Sequence, residues 1–290
     1  MTALKYWLLA ARPKTLLMSL TPLLVGGTLA YVESGEFYWL PWLAALLAAI
    51  GIQIGTNLHN DVSDYERGAD TPERLGPRRA TAEGWLSATA VRRGAMISYG
   101  LSFGLGIYLV WLGGWPILLL GLASLLAGFS YTGGPMPIAY TPLGELFVLL
   151  FFGIAAVSGT YYLQTMALSW TVVIAGIAVG LPASAVLLIN NYRDMETDLK
   201  AGKRTLATFV GRPSSRYLYC IMVLLPLTLV LLLNPHPVLR WLPWLTLPMV
   251  FWLIHQLWTL PIDLQLNTLL ARTAQFQLLF GVLLCLALFI

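Results

Sequence analysis

Nine of the 13 acidic residues in this 290-residue chain fall in two short segments. The first begins at Asn57, takes in Asp61, Asp64, Glu66, Arg67 and Asp70, and runs on through Glu73 to Glu83. The second contains Asn190, Asn191, Tyr192, Arg193, Asp194, Glu196 and Asp198, followed by Lys200, Lys203 and Arg204. If each segment ends a helix, Asn57 and Asp61 stand four residues apart with Asp64 three further on, on one face, and Asn190, Asp194 and Asp198 repeat at spacings of four. Carboxylates stacked in this way repel one another unless a cation lies between them. No cysteine or histidine shares the spacing, and an oxygen-only donor set suits a hard cation such as Mg²⁺, which usually completes its shell with water and substrate phosphate. The neighbouring Arg and Lys residues would then complement the phosphate. The predicted chemistry is the binding of a metal-diphosphate between two helix ends, in preference to solvated acids that merely cap those ends.

The elements that must carry these motifs are membrane helices. Hydrophobic residues make up 58% of the chain, charged residues only 10%, and mean hydropathy is +0.75, too apolar for a surface that meets water on all sides. Stretches long enough to cross a hydrocarbon core of ~30 Å lie near 15–32, 38–58, 96–113, 116–131, 144–163, 170–190, 217–233, 241–258 and 273–290. The expected fold is therefore all-α, a bundle of nine transmembrane helices in one domain spanning 1–290, with motif loops at about 57–95 and 190–216. With the N-terminus in the cytoplasm, 16 of the 17 basic residues lie inside and only Arg240 outside, as the positive-inside rule requires. Both acidic segments then face the cytoplasm. The net charge of +4 reads as this basic face and not as a nucleic-acid surface.

Several other patterns reduce to packing. Gly202, Lys203, Arg204 and Thr205 imitate the end of a phosphate loop, but Thr197 stands where the upstream glycine belongs and no strand precedes it. Gly100/Gly104 and Gly176/Gly180 are spacings that let membrane helices approach closely. Cys220 and Cys285 sit in apolar runs without metal-site spacing, and His59 faces away from the Asn57/Asp61 stripe, while His236 and His255 lack acidic partners nearby in sequence. A cation-coupled transporter would place ionisable residues near the bilayer midplane; here they crowd one edge.

The chain resembles the UbiA superfamily of intramembrane aromatic prenyltransferases over nearly its whole length. The residues behind the resemblance are Ala11-Arg12-Pro13-Lys14-Thr15-Leu16, the Asn57–Asp70 run extended by Arg74-Leu75-Gly76-Pro77-Arg78, and Tyr131-Thr132-Gly133-Gly134-Pro135. Leu143-Gly144-Glu145 leading into Phe151-Phe152-Gly153, and Asn190 through Asp194 to Gly202-Lys203-Arg204-Thr205-Leu206, complete it. Gly68 replaces an aspartate of the ubiquinone-branch motif and Asp70 follows it, a pattern similar to the naphthoate branch; Met136 stands where that branch tends to carry Lys or Arg. The resemblance implies a helical bundle around a cavity open to the bilayer of a bacterial inner membrane, with the site facing the cytoplasm. It implies a polyprenyl diphosphate as donor, 1,4-dihydroxy-2-naphthoate as acceptor, and two Mg²⁺ ions bridging the diphosphate, replaceable by Mn²⁺. It implies metal ligation by Asp61, Asp64, Asp194 and Asp198, diphosphate contact by Asn57, Arg67, Lys203 and Arg204, and catalytic roles for Asp70, Asp194 and Tyr131. Another acceptor, such as 4-hydroxybenzoate, homogentisate or a tetrapyrrole, is the alternative.

Overall fold

The computed structural model describes residues 3–70, 75–233, 236 and 238–289; Glu73 and Arg74 lie outside them. Among the described residues every regular element is helical. A short α1 (Ala3–Ala11) leads through Arg12 into α2 (Pro13–Ser34), which is followed by α3 (Trp39–Glu66) and the long α4 (Ala88–Ser130). The helix from Gly144 to Thr165 consists of α5 (Gly144–Leu149), a π-helical stretch (Leu150–Ala155) and α6 (Ala156–Thr165). Then come α7 (Trp170–Lys200), α8 (Leu206–Leu229), α9 (Leu247–Thr259) and α10 (Gln265–Phe289).

Seven helices among the described residues are long and apolar enough to cross a membrane. The protein is an integral membrane protein. All nine segments expected to span are largely helical, but two regions depart from expectation. The expected spans 96–113 and 116–131 are merged in α4, whose 43 residues would extend about 65 Å if straight. Gly114 breaks it with φ 65° and ψ −150°, a conformation open to glycine alone, and Pro116 follows. The expected span 241–258 begins as a 3₁₀ helix (Leu239–Thr246) around Pro243 and becomes α9 only at Leu247. With 13 residues, α9 alone reaches about 20 Å, short of the hydrocarbon core.

At the centre lies α7, the most buried of the long helices, started by Ser169, whose hydroxyl accepts the Val172 N–H. Its Gly176 and Gly180 meet the π-helical stretch almost backbone to backbone. A Cβ on Gly153 would stand 2.4 Å from the Gly176 carbonyl oxygen and 2.7 Å from Gly180 Cα, so this small-residue spacing is a helix contact as read. Gly100 and Gly104 are not: a Cβ on either would meet nothing, and that face of α4 is open. Exposed Trp39, Trp111, Trp115 and Trp170 mark the start of α3, the α4 break and the start of α7, the end of the bundle away from the acidic motifs. This is the interfacial position that tryptophan prefers.

Candidate diphosphate site at the head of an apolar cavity

A cavity of about 910 Å³ lies between α2, α3, α4, the α5–α6 helix, α7 and α10. Its character changes along the helices that wall it. On α3 the lining runs from Ala45, Ala48 and Ile52 to Asn57, Asn60 and Asp64; on α7 it runs from Val186 and Leu187 to Asn190, Asn191, Asp194 and Asp198. One end is hydrocarbon and the other is amide and carboxylate, because both helices carry their polar motif in their last turns.

Asp64 is the hub of the polar end. It is 1% exposed, yet its carboxylate receives Arg79 Nη2 at 2.7 Å, Lys203 Nζ at 3.1 Å and the Tyr140 hydroxyl at 3.4 Å. Arg79 also donates to Asn60 Oδ1 at 3.0 Å and lies 3.4 Å from Asp70 Oδ1. Lys203, 139 residues from Asp64, leaves the turn after α7, where its backbone N–H binds the Asp198 carbonyl. One ion pair thus closes the α7 motif onto the α3 motif. Lys203 Nζ also stands 4.9 Å over the Tyr140 ring, and burial followed by the Asp64 charge pushes the Tyr140 phenol up to about 12.

On α7, Asp194 is clamped by its neighbour: Arg193 Nε donates to Oδ1 at 2.8 Å and Nη2 to Oδ2 at 2.5 Å. Arg193 is held in turn by Asn190 Oδ1 at 2.8 Å and Asn267 Oδ1 of α10 at 2.6 Å. Asp198 lines the cavity one turn further on. Asn57 lines it too, while its amide ties α3 to the end of α1 through the Ala11 carbonyl and to the start of α2 through the Thr15 hydroxyl.

Four residues expected at the site stand off the cavity wall in this structure. Asp61 does not reach the cavity; its two oxygens accept the backbone N–H groups of Ala80 and Thr81, each at 2.9 Å, and so anchor the loop before α4. Asp70 sits behind Arg79, off the cavity wall. Arg67 donates to the Gly134 carbonyl at 2.8 Å and lies 5.1 Å over Tyr140, bracing the 131–143 loop from outside. Arg204 turns an exposed side chain away from the cavity, while its N–H binds the Tyr140 carbonyl. Asn57, Asp64, Asp194, Asp198, Lys203 and Tyr131 all line the cavity. Met136 is exposed and not part of its wall.

Residues that the motif spacing did not single out complete the site: Asn60, Arg79, Tyr140 and the clamp Arg193. Asn60 is within reach of the sequence, since it stands four before Asp64, the same spacing that draws attention to Asn57 and Asp61.

Among the described residues no three acidic, histidine or cysteine side chains gather closely enough to enclose a metal alone. The donors present, Asp64, Asp194 and Asp198 with the amides of Asn60 and Asn190, are all hard oxygens at the cavity head. They fit a divalent ion that shares its shell with a ligand's own oxygens.

Because Asp61 caps two buried amides, Asp61→Ala leaves both without acceptors, at about 1–3 kcal/mol each. The variant is expected to unfold earlier in detergent and to gain proteolytic cleavage between residues 75 and 87. Activity should fall in proportion to the folded fraction.

Membrane-crossing helices around a cavity with a hydrocarbon wall and a cation-rich, carboxylate-rich head define a membrane protein built for an amphiphile with an anionic head group. The chain belongs to the UbiA prenyltransferase family, whose sequence model matches residues 19–289. It is 39% identical over 227 residues to a 1,4-dihydroxy-2-naphthoate octaprenyltransferase of Haemophilus influenzae, covering 76% of this chain and 74% of that protein. It is 34% identical over 293 residues to the enzyme of that name from Escherichia coli, covering 98% and 95%. Its fold is shared with a UbiA homolog from Archaeoglobus fulgidus solved with GPP and Mg²⁺, at a TM-score of 0.73 and 16% identity over 98% of this chain and 99% of that one.

Proposed function

We propose that this protein transfers a polyprenyl group from a polyprenyl diphosphate to 1,4-dihydroxy-2-naphthoate with loss of CO₂, giving demethylmenaquinol. In this reading the chain is one domain of nine spans in the bacterial inner membrane, with the acidic motifs on the cytoplasmic side. The observation that carries it is the Lys203–Asp64–Arg79 junction, which unites the two acidic motifs at the head of an apolar cavity. The relatives of that name, alike over most of their length, support the choice of acceptor.

The apolar wall keeps the prenyl tail out of water while its diphosphate lies among Arg12, Arg79, Arg193 and Lys203, all on the cavity lining. Cleavage of the allylic C–O bond loads charge onto the diphosphate, and these fixed cations oppose that charge without reorganising. The oxygen donors of Asn60, Asp64, Asn190, Asp194 and Asp198 would hold Mg²⁺, which when bound neutralises the same leaving group. Tyr131, on the cavity wall beside the motifs, offers its ring face to the allylic cation. Of the two carboxylates read as bases, Asp194 lies on the wall and Asp70 does not.

The prenyl carbon bonds to the ring carbon that bears the carboxylate. That carbon has no proton to lose, so the ring regains aromaticity by expelling CO₂, whose bond electrons return to the ring. Purified protein supplied with a prenyl diphosphate and, in turn, naphthoate, 4-hydroxybenzoate or homogentisate is expected to turn over naphthoate fastest, with one CO₂ released per product. Faster reaction with another acceptor, or a product that keeps its carboxyl group, contradicts this function.

A further inference from the structure

The start of α8 carries two arginines that the cavity head does not use. Gly211 breaks the helix with φ 80°, and Arg212 and Arg216 follow it, four residues apart. Neither lines the cavity. Both converge on Tyr192 of α7, which is buried: Arg212 Nη1 donates to its carbonyl at 3.2 Å and Arg216 Nε to its hydroxyl at 2.9 Å. Their guanidinium carbons stand 5.2 and 5.8 Å from its ring centre. Like charges at this spacing repel, so gathering two guanidiniums on one ring concentrates positive charge. The acid paired with Arg212 is Glu196 at 3.2 Å, a carboxylate 83% exposed, and such a surface pair is worth little. Arg216 has no acidic partner among the described residues, and its two Nη nitrogens make no hydrogen bond with them.

The surroundings are those of a membrane edge. Arg216 also lies 5.3 Å from the ring of Trp258, at the end of α9, and Trp258 packs edge-on against Tyr217 at 5.5 Å. Both rings are exposed, and both are of the types that settle at the level of lipid headgroups. From Tyr217 the outer face of α8 continues as exposed Ile221 and Leu225, at the four-residue spacing of one helical stripe. This helix is long and apolar enough to cross the membrane, so the stripe meets acyl chains. A partly exposed guanidinium, held against two rings and with both Nη nitrogens unpaired, thus stands at the head of an apolar stripe.

We propose that Arg212 and Arg216, braced by Tyr192 and Trp258, form a site for the phosphodiester headgroup of an anionic phospholipid whose acyl chain lies along Tyr217, Ile221 and Leu225. A guanidinium takes a phosphate through paired N–H donors, and a planar fork already stacked on aromatic rings loses little freedom in doing so. The concentrated positive charge selects lipids by net charge. Phosphatidylglycerol and phosphatidylcholine both offer the phosphate, but in the second the choline cation cancels it. Two arginines beside an anionic leaflet correspond to about tenfold or more in affinity. The site lies on the outer wall of the bundle, apart from the cavity, and does not depend on the prenyl-transfer reading.

The test is native mass spectrometry of the purified full chain in detergent, titrated with phosphatidylglycerol or with phosphatidylcholine of the same acyl chains, reading the Kd of the first bound lipid. Wild type is expected to bind phosphatidylglycerol at least about tenfold more tightly, and the double variant Arg212→Gln, Arg216→Gln to bring the two lipids within about twofold. Asp64→Asn, which alters the cavity head, is expected to keep the preference. Should the double variant fail to fold, Trp258→Leu, which removes one of the rings beside Arg216, is expected to lower the preference about threefold. Equal binding of the two lipids by wild type, or an unchanged preference in the folded variant, overturns the site. A preference lost in Asp64→Asn puts the lipid in the cavity and overturns it as well. Displacement of the lipid by glycerol phosphate at the same concentration gives the arginines to a soluble phosphate and overturns the lipid assignment.

Discussion

Asp64→Asn is expected to lower turnover by at least about 10³-fold while leaving the bundle folded. The side chain keeps its shape and one acceptor oxygen, but loses the charge that draws Arg79 and Lys203 to one point. Removing a single preorganised electrostatic contact to developing charge costs about 10²–10³ in rate, and here two cations and an oxygen donor are displaced together. The loss should appear in kcat with prenyl diphosphate, and the Asp64→Asn protein should still melt cooperatively in detergent. A variant retaining a tenth of wild-type turnover would remove Asp64 from the centre of the site.

The second large effect is on the other motif and has a different character. Arg193 has 0% side-chain exposure, and both Asp194 oxygens face it. Asp194→Ala therefore strands a buried guanidinium, and breaking one partner of such a pair costs about 3–5 kcal/mol. Loss of turnover is expected together with a clear fall in unfolding temperature. The double variant Arg193→Leu, Asp194→Leu, which replaces the pair by apolar volume, is expected to recover most of the thermal stability and none of the activity. If Asp194→Ala melts like wild type, the clamp contributes nothing to stability and Asp194 acts in the chemistry alone.

The contrast between Asp61 and Asp64 shows what helical periodicity can and cannot reveal. Residues three apart differ by about 60° around a helix, so both acids belong to one broad face. Only the return of the 75–87 loop, with its two free amides, decides that Asp61 turns to the loop and Asp64 to the cavity. Asn60, about 40° from Asp64, was equally available to the spacing argument. The helices themselves were legible because apolar runs of spanning length are long and strong signals. The α4 junction was less so: Gly114 and Pro116 mark a break but not its angle, and the chain continues as helix on either side of it. Arg79 could not be picked from the six arginines between the second and third expected spans, because nothing local distinguishes the one folded inward. The Lys203–Asp64 pair is beyond any local reading: it depends on where two helix ends meet.

The central claim is that the head of the cavity binds a diphosphate through a divalent ion shared between the α3 and α7 motifs. Equilibrium binding of a non-reactive prenyl diphosphate analogue to the purified protein, with Mg²⁺, with Mn²⁺ and after exhaustive EDTA treatment, tests it directly. Tight binding with either ion, lost after chelation and weakened in Asp64→Asn even at saturating Mg²⁺, is the expected result. Equal affinity in EDTA, or wild-type affinity in Asp64→Asn, would contradict it.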